Sequence, residues 1–185
     1  MAADKQTFLK NVTVLTDTRE QKNAHITAAL DRLGVAWEAR KLDFGDYSFL
    51  CGGRDFSLSC VVERKASINE LYGNLSTSEH RARLEREFSA AHSTGADMTL
   101  LLENCAGEEE LKEYQVPAWE MQAFSRKVQD IGIRCHRVLC SWQMRNRYGF
   151  RVSYVRDPEG TAAKMLEFFY CYWRNYKTAG RPQRS

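Results

Sequence analysis

A chain of 185 residues, 43% hydrophobic and 28% charged, has the makings of one ordinary globular domain, long enough to bury a proper core. No stretch reaches the apolar length of a membrane span, and the start, Met1-Ala2-Ala3-Asp4-Lys5-Gln6, has no apolar leader, so neither a membrane role nor secretion is expected. The formal net charge of +3 is too small to advertise nucleic-acid binding by itself, and any such function has to show in how the charges are distributed.

Val12-Thr13-Val14-Leu15 is a β-type run, with a strand expected over 12–16, that ends in Asp17-Thr18-Arg19-Glu20. After Asn23, residues His25, Ile26, Ala29, Leu30 and Leu33 recur at helical spacing, with Gly34 as the stop. A strand that ends in acids before a helix is where α/β folds place working groups; the plain alternative is that Asp17 and Glu20 only cap the helix. A strand is expected at 35–42, and then a hairpin. Its first strand, 46–51, starts at Gly45-Asp46-Tyr47 and alternates through Tyr47, Phe49 and Cys51 to a Gly52-Gly53 turn. The second, 56–63, alternates through Phe56, Leu58, Cys60 and Val62 into Glu63-Arg64-Lys65.

Pairing of these strands returns the end of the second to the start of the first, so Asp46 and Glu63 lie side by side, about 4–5 Å apart at the backbone. Two such carboxylates repel each other unless a cation sits between them. A hard divalent ion with oxygen ligands, Mg²⁺ by default, resolves the conflict. Alternation puts Lys65 on the face of Glu63 and Arg64 on the other. A lysine there can orient or help deprotonate a water and offset phosphate charge. A bare Gly-Asp turn and a solvated Glu-Arg-Lys strand end are the bland alternatives.

Downstream, Ser67 reads as the N-cap of a helix carrying Ile68, Leu71, Tyr72 and Leu75, with Glu70 at the capping-box position. A second helix, 78–92, turns Leu84, Phe88 and Ala91 inward and carries Arg81, Arg83 and Arg86, which read by themselves as the ordinary surface arginines of an amphipathic helix. The continuous apolar run at 97–103 predicts a strand covered on both sides. Gly107 and three glutamates mark a turn or helix start, and Pro117 opens a piece containing Trp119, Met121 and Phe124. The spacing of Val128, Ile131, Cys135, Val138 and Trp142 predicts a long helix over 125–149, with Gly132 as a small propensity cost. A last strand is expected at 150–155. Asp157-Pro158-Glu159 then starts a helix rich in Met165, Leu166, Phe168, Phe169, Tyr172, Trp173 and Tyr176. That helix is a central packing element, a dimer interface or a base-stacking surface for single-stranded DNA. Arginines crowd 134–156 and the end from 174 to 184 is basic, either to offset phosphate charge or as solvated faces. The six cysteines lack a Cys-x-x-Cys pair and read as reduced core residues.

In order and spacing, Asp17-x-Arg19-Glu20, Gly45-Asp46-Tyr47 and Glu63-Arg64-Lys65 resemble the nuclease domain of the XPF-type structure-selective endonucleases. More broadly the chain looks like the PD-(D/E)XK, or restriction-endonuclease-like, superfamily, with Gly-Asp standing in for Pro-Asp. The family signature runs Gly-Asp, a variable stretch, Glu-Arg-Lys, three residues and Asp; this chain has Asn69 where the last acid is expected. The match is dense over 12–75 and thins afterwards.

The resemblance implies an α/β nuclease domain over 1–178, with a mixed central β-sheet flanked by helices, and a basic tail over 179–185. It implies hydrolysis of DNA phosphodiesters with Mg²⁺ or Mn²⁺, on branched, flap or partly single-stranded DNA in repair, recombination or phage DNA processing. Asp46 and Glu63 would be the central metal ligands, joined by the carbonyl of Arg64 and by Asp17. Asp17 and Glu20 would complete the acidic cluster, Lys65 would position the attacking water, and Arg19, Arg64, Arg81 and Arg83 would contact phosphate or brace the site. DNA is the implied partner, with a homodimer through the nuclease domain as is common in the family. The family's helix-hairpin-helix module and helicase motor are not visible, as in the compact forms of bacteria, archaea and phages, which implies a cytoplasmic setting. The rival class is a non-catalytic DNA-binding or scaffold subunit, which should have lost acids that remain here. A metal-free RNA-splicing nuclease would need a Tyr-His-Lys set that is not apparent.

Overall fold

The computed structural model describes residues 2–118 and 130–179. The chain opens with a helix that its sequence does not announce, α1 (Ala2–Asn11). With Phe8 and Leu9 as its only large apolar residues it has no stripe to read. Phe8 is nevertheless fully buried, edge-on to Phe49 and against Tyr170 and Trp173. There follow β1 (Val12–Thr16), α2 (Ala24–Arg32), β2 (Ala36–Ala39), β3 (Tyr47–Cys51), β4 (Arg54–Asp55), β5 (Cys60–Lys65), α3 (Ile68–Ser76) and α4 (Ser78–Thr94). The second half supplies β6 (Asp97–Glu103), α5 (Glu108–Glu113), α6 (Ile131–Gln143), β7 (Phe150–Val155) and α7 (Thr161–Ala179).

The seven strands form one mixed sheet in the order β2-β1-β3-β5-β6-β7, with β4 off this path against β3. β1 runs parallel to β2 and antiparallel to β3, β3 is antiparallel to β5, and β5, β6 and β7 are parallel. The chain thus adopts the α/β class and the mixed, helix-flanked sheet expected from its sequence. Alternation divides the strands between two cores. Val62 and Leu101 join α1, α2 and α7 on one side, while Val61, Leu100 and Leu102 join α3 to α6 on the other.

The hairpin departs from the sequence expectation in its middle. Near the turn Cys51 faces Arg54 and Leu50 faces Asp55, but at the far end Tyr47 faces Val62, so residues 56–59 loop out between two registers. The backbone N–H groups of Ser59 and Cys60 both donate to the carbonyl of Phe56, each at 2.9 Å. Strand β5 therefore covers 60–65 rather than 56–63, and Leu58 is 50% exposed instead of inward-facing. β2 is shorter than expected because the chain leaves the sheet after Ala39 and buries Leu42 and Phe44.

The helix expected over 125–149 is Ile131–Gln143 among the described residues; its predicted start and the piece with Trp119, Met121 and Phe124 lie outside them. A 3-10 turn with Arg145 at φ 55° closes it. Gly132 is there for room: a Cβ would lie 2.0 Å from the carbonyl oxygen of Leu111 and 3.0 Å from the Cβ of Tyr114, where α6 meets the end of α5. The first of the three readings of α7 is the one observed. Phe169 stacks on Phe49 at 4.8 Å, Trp173 meets Phe8 at 5.4 Å, and Tyr172 stands edge-on to Phe56. Four cysteines are buried, whereas Cys140 and Cys171 are exposed, against the expectation of core positions; all six are free. Among the described residues no helix is long and apolar enough to cross a membrane.

Candidate active site

Gly45 and Asp46 are clamped between two strands. The N–H of Asp46 donates to the carbonyl of Val62 at 2.8 Å, and its own carbonyl accepts the N–H of Asp17 at 2.7 Å. Gly45 has a φ of +71°, and a Cβ there would sit 3.2 Å from the Cβ of Val61 and 3.3 Å from the carbonyl oxygen of Val62. Only glycine suits a positive φ in so tight a place. Extending the Tyr47–Val62 register by one residue sets Asp46 opposite Glu63. Asp46 Oδ2 accepts the backbone N–H of Arg64 at 2.7 Å. Glu63, 3% exposed, accepts from Lys65 Nζ at 2.6 Å through Oε1, while its Oε2 is buried with no hydrogen-bond partner.

The titration of Asp46 and of Lys65 is shifted by these surroundings. Burial and then the charge of Glu63 hold the Asp46 carboxyl well above the usual carboxylate range, against the pull of Lys65. Burial acts to lower the pKa of Lys65, but Glu63 and Asp46 outweigh it and keep the ammonium charged. Glu87 on α4 is raised too, by burial and then by Glu63.

Arg64 points behind the sheet, as strand alternation requires. Nη1 donates to Glu103 at 2.6 Å, and Nη2 donates to Glu20 at 3.1 Å and to the carbonyl of Lys22 at 3.0 Å. Glu103 also accepts from Thr161 Oγ1 at 2.6 Å and pairs with His25 Nε2 at 2.9 Å. The guanidinium is a brace tying β5 to β6, with α2 and α7 joined through Glu103.

The acids and lysine face a pocket of about 660 Å³. Asp46, Glu63 and Lys65 meet Arg19 and Glu20 on one side and Arg83, Arg86 and Glu87 of α4 on the other; Arg64 also contributes to the lining. Two of the sequence candidates lie elsewhere. Arg81 is not in the lining, and its guanidinium lies 6.0 Å over the ring of Trp142. Asp17 is also outside the lining, and both its oxygens are engaged. Oδ1 accepts the N–H and Nε of Arg19, each at 2.7 Å, and Oδ2 accepts the N–H of Leu42 at 2.7 Å and Nη2 of Arg19 at 3.1 Å. Neither Asp17 nor Glu20 caps α2, which starts at Ala24. Asn69 accepts a hydrogen bond from Tyr114 Oη at 3.0 Å, away from the pocket. Arg151 and Arg156, from the arginine-rich stretch, pair with Asp97 and Glu110.

Asp17 is therefore expected to act on stability. Asparagine at this position would turn one acceptor into a donor facing N–H groups, costing about 1–3 kcal/mol, or a fall of roughly 2–12 °C in melting temperature. Burial acts to raise the Asp17 pKa, but the hydrogen bonds from Arg19 and Leu42 outweigh it and leave the pKa below 3.8. Its contribution should be complete above that value and vanish as pH falls through the depressed one. An Asp17→Asn chain that melts like wild type at pH 7 would show that these contacts are not what the carboxylate is for.

Glu87 and Arg86 have no counterpart among the site residues expected from sequence. A signal was present: Arg83, Glu87 and Ala90 recur at helical spacing one step before the inward stripe of Leu84, Phe88 and Ala91. Among the described residues no three His, Cys, Asp or Glu side chains form a ready-made metal cage. The donor set still fits a hard divalent ion, which is commonly bound through one or two carboxylates and water. Glu63 Oε2 is a buried anionic oxygen without a partner, and Asp46 and Glu63 repel across the strand pair.

The model of the ERCC4 domain matches residues 16–168. Among solved structures, XPF from Aeropyrum pernix is 22% identical, with a TM-score of 0.59 over 90% of this chain and 68% of that one. XPF from Aeropyrum pernix in complex with DNA is 20% identical, with a TM-score of 0.58 over 94% of this chain and 76% of that one. No curated protein matches the chain. At such identities the two structures speak for the fold, while the family match takes in the stretch from the end of β1 well into α7. The chain belongs to the ERCC4 domain family, the family that its three motif blocks resemble.

Proposed function

We propose that this chain is a divalent-metal-dependent endonuclease that hydrolyses DNA phosphodiester bonds. The observation that carries the reading is the Asp46–Glu63 pair beside Lys65, in a pocket flanked by Arg19, Arg83 and Arg86. Acids lie where a cation is needed, and arginines lie where a phosphate backbone would pass. Asp46, Glu63 and the carbonyl of Arg64 would hold Mg²⁺ or Mn²⁺, which when bound polarises a phosphate and lowers the pKa of its water. Lys65 donates a hydrogen bond that orients the attacking water, and its charge offsets the charge that grows on the phosphate. As an ammonium it has no lone pair with which to take the water's proton. Arg83 and Arg86 bind backbone phosphates flanking the scissile one. Glu20, fixed by Arg64 and by the N–H of Lys22 at 2.9 Å, keeps the acidic edge in place. The complex of XPF from Aeropyrum pernix with DNA supports DNA as the ligand, and branched, flap or partly single-stranded forms are the substrates we favour.

The test uses labelled flap, splayed-arm and duplex DNA with Mg²⁺, with Mn²⁺ and with EDTA. Cleavage of the branched forms with either metal and none in EDTA is expected, leaving 5′-phosphate and 3′-hydroxyl ends. Cleavage that survives EDTA would overturn the metal requirement. DNA that is bound but never cut would favour a non-catalytic DNA-binding or scaffold subunit.

A further inference from the structure

The pocket holds more negative charge than the Asp46–Glu63 pair requires. Glu87 enters it from α4, across from β5, and its Oε1 accepts the N–H of Gly45 at 3.2 Å, next to Asp46 in the chain. That bond ties the third carboxylate to the turn that carries Asp46, in the pocket that the other two line. A helix residue tied to the turn that presents Asp46 cannot swing away to relieve the repulsion. Arg83 and Arg86 also line the pocket, but among the described residues Lys65 is the pocket cation that is ion-paired to one of these three acids. Lys65 Nζ is 2.6 Å from Glu63 Oε1, whereas Arg19 is bound to Asp17 through Nε at 2.7 Å. Glu63, 3% exposed and facing the same pocket, keeps a buried Oε2 with no hydrogen-bond partner. Three acids lining one pocket, one of them with an orphaned buried carboxylate oxygen, suit a hydrated divalent cation better than an empty pocket.

We propose that Glu87 is a further anionic member of this centre, strengthening divalent-cation binding together with Asp46 and Glu63. Its Oε1 is held by Gly45, and its Oε2 is left for the hydration shell of the ion. The role rests on the metal-dependent reading above and adds to it a residue on a separate element, so that α4 is drawn to the Gly45–Asp46 turn when a cation is bound.

The experiment is calorimetric titration of the full chain with Mn²⁺ in the absence of DNA, for wild type, Glu87→Gln, Glu87→Asp and Asp46→Asn. Gln keeps the length of the side chain and an oxygen for Gly45 but removes the charge. Glu87→Gln is expected to bind Mn²⁺ about tenfold more weakly, the lower end of the range for residues that support metal ligands. It should melt no lower than wild type, because the lost charge was repelled by Glu63. Glu87→Asp, which keeps the charge at shorter reach, should recover part of the affinity. Wild-type affinity in Glu87→Gln, with binding lost in Asp46→Asn, overturns the role of Glu87 alone. Equal weakening in Gln and Asp overturns the charge argument. A wild-type chain that takes up no Mn²⁺ and cleaves DNA in EDTA overturns the metal-dependent reading itself.

Discussion

Replacing Asp46 with asparagine is expected to abolish DNA cleavage and to stabilise the folded chain at once. The loss should be roughly a thousandfold or more in rate, because a metal-binding carboxylate supports several kcal/mol of transition-state stabilisation and each 1.36 kcal/mol is a factor of ten. The gain in stability comes from the same carboxylate. Asp46 is raised by burial and by the charge of Glu63, so the folded chain holds a proton there more tightly than the unfolded one. A folded pKa above the ordinary aspartate value of 3.8 means that the native state binds more protons in between. Stability must therefore fall as pH rises from that value through the raised one, and the penalty is complete above it. Asparagine carries no charge and can still accept the N–H of Arg64. A relief of only about 1 kcal/mol would lift the melting temperature by roughly 2–4 °C in a chain of this size. Melting wild type and Asp46→Asn at pH 5 and pH 8 checks this: the advantage of the variant should be larger at pH 8. A variant that melts below wild type at pH 8 would show that contacts to the carboxylate outweigh its repulsion.

That opposition of stability and function was partly visible in the sequence, since two acids facing across paired strands follow from alternation alone. The pattern of β5 is set by covalent geometry, so Glu63 and Lys65 on one face and Arg64 on the other could be read without a structure. The middle of the hairpin could not. Phe56, Leu58 and Cys60 alternate as a strand should, but Phe56 is drawn onto the ring of Phe49 at 4.5 Å, and the chain between Phe56 and Cys60 loops out. Alternation is local and does not register such a pull. Helix α4 matched its expected extent closely because its apolar stripe has a clear period, while α1, held by one buried aromatic, left no pattern. Asp17 shows the limit at the site: an acid that faces a cavity and an acid that closes the turn beneath it look alike in sequence. Glu87 and Glu103 come from distant elements, and only the folded sheet brings them to Gly45 and Arg64.

The Glu103 contact carries the largest expected effect on stability. Arg64→Met would leave Glu103 buried and Glu20 facing it without the guanidinium between them, and breaking a buried pair in this way costs about 3–5 kcal/mol. The melting temperature should drop by roughly 6–20 °C. If uncompensated charge is the cause, adding Glu103→Gln should restore much of the loss, because removing both partners avoids the penalty that removing one incurs. Cleavage should follow the same order, since Arg64 lies between Glu63 and Lys65 on one strand and holds that strand from behind. With the brace gone, the two pocket-facing side chains lose the fixed spacing on which a cation and a positioned water depend. Circular dichroism melts of wild type, both single variants and the double variant give the coupling directly. A double variant no more stable than Arg64→Met would mean that the arginine stabilises the sheet through its packing and its bond to the carbonyl of Lys22, and not through charge.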